Sequence, residues 1–232
     1  MDESLKSLRE WLVGEHSLTI SDDRLRAITP YVEQVVAEGV DGAFVELGCH
    51  RGAMAVWVRS ILDLHDAPHR EMHVYDSFEG LPAPGASDSD HVGEGELITT
   101  PDEVRAVHAR WGKTCPVIHA GWFEETLPTG LPKRIAFGYL DGDFYDSIMT
   151  SLQYCVPRMA PGGLLIIDDY ADVVANPKAW NGLPGVKAAC DAYFGDSSPI
   201  SAVVLEDSDL PFGVYQHPVG PERLKVPSGT PS

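Results

Sequence analysis

The sequence predicts a doubly wound α/β fold: a mostly parallel sheet of seven strands, a helical cap before the first strand and an antiparallel hairpin at the C-terminal end. Three observations carry that expectation. Short apolar runs bounded by turn residues alternate with longer segments of helical period, the pattern of strand–helix–strand units whose right-handed crossovers leave few ways to wind a sheet. The last two apolar runs are separated only by Asp207–Pro211, a spacer suited to a hairpin. The chain's 232 residues, 44% of them hydrophobic, suffice for one compact domain with a substantial core.

Taken in order, residues 5–38 have the spacing of one or two amphipathic helices, able to cover the sheet or the mouth of a site. The expected parallel strands are Gly42–Cys49, Glu71–Ser77, Pro116–Gly121, Ile135–Leu140 and Leu164–Ile167. Helices are expected between them at Ala53–Leu64, Asp102–Trp111 and Phe144–Met159, and Ser201–Glu206 with Phe212–His217 form the hairpin. Pro82–Gly95 and Ala171–Pro184 read as loops. The expected division is a cap at 1–40, the main domain at 41–217 and a flexible tail at 218–232, poor in apolar residues.

Composition narrows the partners. With 35 Asp plus Glu against 17 Lys plus Arg, the net charge of −18 would repel a phosphate backbone, so nucleic acid is not an expected ligand. No apolar stretch of about 18 residues runs uncharged, and no basic start leads into one, so a soluble cytoplasmic protein without a membrane partner is expected. Cys49, Cys115, Cys155 and Cys190 lie far apart, with neither zinc-ligand nor redox spacing, and read as small buried residues.

Two strand ends look suited to a ligand. In "FVELGCHRG", Phe44–Gly52, an acid is followed by Gly48 and Gly52 where a strand turns into a helix, and glycine there lets backbone approach a ligand. The turn is not the dinucleotide fingerprint, because His50 and Ala53 stand where its second and third glycines would, and Glu46 would repel an anion. A cationic ligand such as S-adenosylmethionine, with its sulfonium and ammonium groups, suits the site; a tight turn with nothing bound is the plain alternative. In "VYDSFEGLP", Asp76 ends the second strand, where a carboxylate can accept from both hydroxyls of a ribose or simply cap the next turn.

The third feature is acidic. "YLDGDFYDS" carries Asp141, Asp143 and Asp146 after an apolar run, and "IIDDY" places Asp168 and Asp169 at the next strand end. Adjacent parallel strands lie about 4.8 Å apart, so these carboxylates converge on one sheet edge. Crowded and unpaired, some would have to hold protons; a divalent cation lets them ionise, and an all-oxygen set favours Mg²⁺ or Ca²⁺. Asp143 is then free to act as a general base toward a hydroxyl. Asp-Gly-Asp as a turn and Asp-Asp as a helix cap explain either motif alone.

These residues resemble the macrocin O-methyltransferase family, metal- and S-adenosylmethionine-dependent enzymes that methylate sugar hydroxyls on antibiotics. The resemblance spans roughly residues 24–217 through "FVELGCHRG", "YDSFEGLP", "GWFEETLP", "LDGDFYDS" and "PGGLLIIDDY". It implies the Rossmann-like class I methyltransferase fold, Mg²⁺ on Asp141, Asp168 and Asp169, and Asp143 as the base. Glu46, Gly48, Gly52, Asp76, Ser77 and Asp141 would line the cofactor, with Trp122 and Phe123 near its adenine. The implied partner is a glycosylated natural product and the implied assembly a homo-oligomer, dimer or tetramer. The chain departs from the family at His50, whose role stays open, and in a longer stretch, Ala171–Leu183, which leaves the acidic site and should shape the acceptor pocket. The alternatives are methyl transfer to a non-sugar hydroxyl, and a Mg²⁺-dependent phosphatase or phosphotransferase with Asp141 as nucleophile.

Overall fold

The computed structural model describes residues 3–220. Two helices, α1 (Glu3–Glu15) and α2 (Asp22–Ala37), precede the sheet. Strands and helices then alternate: β1 (Ala43–Leu47), α3 (Ala53–Leu64), β2 (Met72–Asp76), α4 (Pro101–Arg110), β3 (Val117–Ala120), α5 (Phe123–Gly130), β4 (Ile135–Leu140), α6 (Tyr145–Cys155), β5 (Met159–Asp168) and α7 (Pro184–Phe194). The hairpin β6 (Ser201–Val203) and β7 (Phe212–Gln216) closes the seven-stranded sheet, whose order is β3-β2-β1-β4-β5-β7-β6. β1 to β5 are parallel and β7 runs antiparallel to both β5 and β6.

Each sheet face carries its own core. Phe44, Val74, Phe137 and Ile166 pack with Leu8, Leu12, Ile28 and Val32 of the first two helices and with α3. Val45, Leu47, Leu140 and Ile167 face the other way, onto Leu127 of α5, Ile148 and Leu152 of α6 and Val186 of α7. This alternation is the two-residue period of a strand covered on both sides. The helices before residue 40 therefore share one core with the sheet. No helix among the described residues is long and apolar enough to cross a membrane.

Several boundaries differ from the sequence expectation, among them that of the first hairpin strand, expected at Ser201–Glu206 and ending at Val203. β5 begins at Met159, where a helix was expected to end, and its register against β4 slips between Ile135 paired with Met159 and Phe137 paired with Leu164. Pro161, Gly162 and Gly163 fill that irregularity and break the apolar run that marks the rest of the strand. The helices α5 and α7 were not anticipated; Pro128 lies inside the first, whereas Pro184 at the start of the second is a favourable opening residue whose signal was not used. Cys49, Cys155 and Cys190 are buried as expected, but Cys115 is exposed; all four are free. The expected tail lies outside the described residues from 221 onward.

The topology also decides where a ligand can sit. β1 has β2 on one side and β4 on the other, so successive crossovers leave it in opposite directions and open a crevice beyond its carboxyl end. Gly48 lies at that switch point with φ +87°, and a Cβ there would come 1.8 Å from the Asp141 carbonyl oxygen. Gly48→Ala should therefore destabilise the fold by more than the roughly 1–3 kcal/mol of a strained dihedral alone. Thermal melting checks this; an unchanged melting temperature would contradict it.

Candidate active site

The strand ends are laced together by backbone. Gly48 N–H donates to Tyr75 O and Asp141 N–H to Leu47 O, both at 2.8 Å. His50, held at φ +46°, donates its N–H to Asp76 Oδ2, and Phe78 donates to Asp76 Oδ1, each at 2.8 Å. Ser77 Oγ donates to Gly80 O and accepts from Glu79 N–H, which shapes the following turn.

Two cavities meet at this edge. The smaller is lined by Gly48, Asp76, Ser77, Trp122, Phe123 and Asp141. The larger, about 290 Å³, also reaches Gly48, Asp76 and Asp141, and adds Arg24, His50, Asp143, Asp169 and Trp180. Gly52 lines neither. It starts α3 at φ +76°, and a Cβ there would stand 2.9 Å from Val104 Cγ1, so its smallness serves contact with α4 instead of the expected contact with cofactor. Four of the six described non-glycine residues with positive φ, His50, Leu97, Asp143 and Asp169, line the larger cavity. Strain of this kind concentrates where backbone serves a site.

Asp141, Asp143 and Asp169 each bring one carboxylate oxygen within 4.8 Å of the others. Burial, opposed by Arg24 and reinforced by Asp169 and Asp76, pushes the Asp141 carboxyl up to about 7. Burial, then Asp141 and Asp169, raises Asp143 well above the usual carboxylate range, and burial also raises Asp169. Asp168, expected among the ligands, is not brought to this cluster. Its Oδ2 accepts from the Tyr139 hydroxyl at 2.6 Å and from Arg24 Nη1, and its Oδ1 accepts from Asp169 N–H. Asp168 is the last residue of β5, whereas Asp169 lies beyond it in left-handed backbone at φ +55°, which is why the two part company. Asp146 is exposed in the first turn of α6, where it favours the helix N-terminus.

The residues fit both groups implied by the sequence. Three enclosed carboxylates with raised proton affinity are a hard-oxygen donor set for a divalent cation. Glu46 is 3% exposed and its Oε2 has no partner; burial first, then Asp141 and Asp76, raises its carboxyl well above the usual range. An unpaired buried acid next to the Gly48 turn suits a ligand bearing positive charge.

Several lining residues were not singled out by sequence. Trp180 belongs to the longer stretch after β5 and meets the His91 ring edge-on at 4.9 Å. Ser89 Oγ donates to Gly182 O, so the two loops above the cavity are tied to each other. Arg24 carries one available signal: a positive charge in the first turn of α2, opposed to the helix dipole.

Comparison with known proteins identifies the family. Residues 9–185 match the Macrocin-O-methyltransferase (TylF) family. A Streptomyces olivaceus protein, 8-demethyl-8-(2,3-dimethoxy-alpha-L-rhamnosyl)-tetracenomycin-C 4'-O-methyltransferase, is 37% identical over 70% of this chain and 66% of its own. Mycinamicin III 3''-O-methyltransferase of Micromonospora griseorubida is 32% identical over 73% of this chain and 71% of its own. The solved O-methyltransferase NovP superposes with a TM-score of 0.69 at 27% identity, covering 86% of this chain and 81% of that one. With the family matched from residue 9 to residue 185 and two curated relatives above 30% identity, the chain belongs to the macrocin O-methyltransferase family, a family of O-methyltransferases.

Proposed function

We propose that this enzyme transfers the methyl group of S-adenosylmethionine to a sugar hydroxyl on a glycosylated natural product, with a divalent cation, Mg²⁺ by its donor set, in the acidic cluster. The observation that carries this reading is that the two cavities share Gly48, Asp76 and Asp141, so a donor in one and an acceptor in the other would meet beside the carboxylates. The sugar is supported by the relatives, whose names specify a 4' position in a rhamnosyl compound and a 3'' position in a mycinamicin.

In this reading Asp76 accepts from the ribose hydroxyls, Trp122 and Phe123 flank the adenine, and Glu46 offsets the cofactor's positive charge. Asp141 and Asp169 hold the cation. Bound there, it would let the carboxylates ionise together and supply Lewis acidity that eases loss of an alcohol proton. Asp143 accepts the proton of the acceptor hydroxyl while that oxygen bonds to the methyl carbon and the carbon–sulfur bond breaks, leaving a neutral thioether. A phosphatase with Asp141 as nucleophile would leave Glu46 and the Trp122 cavity without a role.

The decisive experiment is incubation with S-adenosylmethionine, Mg²⁺ and rhamnosylated aromatic acceptors, with S-adenosylhomocysteine and methylated product followed by mass spectrometry. Failure to bind S-adenosylhomocysteine in calorimetry would refute the reading. The wall formed by Leu18, Val92, Leu97, Trp180 and Leu183 is apolar and faces the aglycone in this proposal. Trp180→Ala should raise the acceptor KM about tenfold, the loss of one well-packed aromatic contact, and leave the cofactor KM unchanged. Steady-state kinetics with each substrate varied in turn separates the two.

A further inference from the structure

We infer that Arg24 is the internal counter-ion of the carboxylate cluster, restraining its affinity for the divalent cation while holding the N-terminal helices to the ion-free site. This rests on the cation-assisted reading above. Among the described residues Arg24 is the only lysine or arginine lining the larger cavity, against Asp76, Glu96, Asp141, Asp143 and Asp169. Its Nη1 pairs with Asp168 Oδ2 and donates to the Tyr139 hydroxyl at 3.2 Å, and its Nη2 stands 3.9 Å from Asp169 Oδ1. The guanidinium also lies over the Phe212 ring, 5.6 Å from its centroid.

Placement of this charge does not serve helix stability, because a cation in the first turn opposes the dipole of α2. The turn is nevertheless pinned. Ser21 caps Arg24 N–H, and Asp23 accepts from Ser21 Oγ and from Ser208 Oγ, which lies in the β6–β7 connection. The guanidinium is thereby delivered to the cluster on a fixed backbone. A divalent cation arriving there meets a resident positive charge, must share Asp169 with it, and finds Asp168 already taken.

Charge at Arg24 therefore weakens cation binding and stabilises the ion-free protein. The test is titration calorimetry of Mg²⁺ into the full chain and its Arg24→Met and Arg24→Lys variants, paired with thermal melting in EDTA and in Mg²⁺. Arg24→Met is expected to bind Mg²⁺ about tenfold more tightly, since a like charge is removed from an enclosed site. It should also melt lower in EDTA and gain more from Mg²⁺ than the unaltered protein does. Arg24→Lys, which keeps the charge, should bind Mg²⁺ like the unaltered protein. Unchanged or weaker binding by Arg24→Met would overturn the inference, leaving a purely structural residue, and so would equal tightening by Arg24→Lys. If Arg24→Met does not fold, Arg24→Gln keeps a donor toward Asp168 and carries the same expectation. Absence of Mg²⁺ binding to the unaltered protein would remove the cation-assisted reading and this inference together, whereas normal binding without tightening removes only the inference.

Discussion

Asp143→Asn is expected to lower kcat by about 10²–10⁴-fold, the usual contribution of a positioned general base, with cofactor binding retained. The substitution is nearly isosteric, and asparagine tolerates the left-handed conformation that residue 143 adopts at φ +58°, so the turn should survive. What disappears is the proton acceptor. In the ion-free protein burial and the neighbouring Asp141 and Asp169 raise the Asp143 carboxyl, and a bound cation would oppose that rise; any acid limb that Asp143 gives the pH–rate profile should be absent from the variant. Mg²⁺ titration of the same variant separates two roles for a residue inside the 4.8 Å cluster: nearly intact affinity leaves Asp143 as base, and collapse makes it a ligand. An undiminished kcat would exclude it from proton transfer.

Removing the cation or its anchor is expected to have the larger effect, with methyl transfer undetectable in excess EDTA and in Asp141→Ala while S-adenosylhomocysteine still binds. Full activity in EDTA would end the cation proposal. A stability signature accompanies it. The Asp141 carboxyl is raised from 3.8 to about 7 in the folded state, so between those values the native protein holds a proton that the unfolded chain has released. The contribution of Asp141 to the stability of the ion-free protein then falls as pH rises through that window, against the rise that buried histidines such as His16 and His108, lowered to about 4, contribute below pH 6.5. A divalent cation competes with the proton, so the gain in melting temperature from Mg²⁺ should grow over the same range. Melting curves from about pH 5 to about pH 8 in EDTA and in Mg²⁺, for the unaltered protein and for Asp141→Asn, test both slopes; the same EDTA slope in the two proteins would contradict the enclosed, proton-binding cluster.

Much of the fold was legible because local signals agreed. Ile135–Leu140 is apolar throughout and lies buried between β1 and β5, and Ala53–Leu64 is an apolar helix with its start marked by Gly52; both were anticipated to the residue. Where local and global preferences conflict, the reading failed: Pro161-Gly162-Gly163 hid the first half of β5 and Pro128 hid α5, whereas α7 was missed although Pro184 is a favourable first residue.

For the active site, strand-end acids at Glu46, Asp76, Asp141 and Asp168-Asp169 could be assigned from sequence to one sheet edge, because parallel strands with covering helices place all their carboxyl ends together. Which carboxylates meet was decided only by tertiary structure. Left-handed backbone at Asp143 and Asp169, and an arginine 144 positions from Asp168, select Asp141, Asp143 and Asp169 and turn Asp168 aside. The physical reason is range. Periodicity and turn chemistry act over a few residues, whereas pairing among buried charges depends on distances of a few ångströms between segments that only the finished fold brings together.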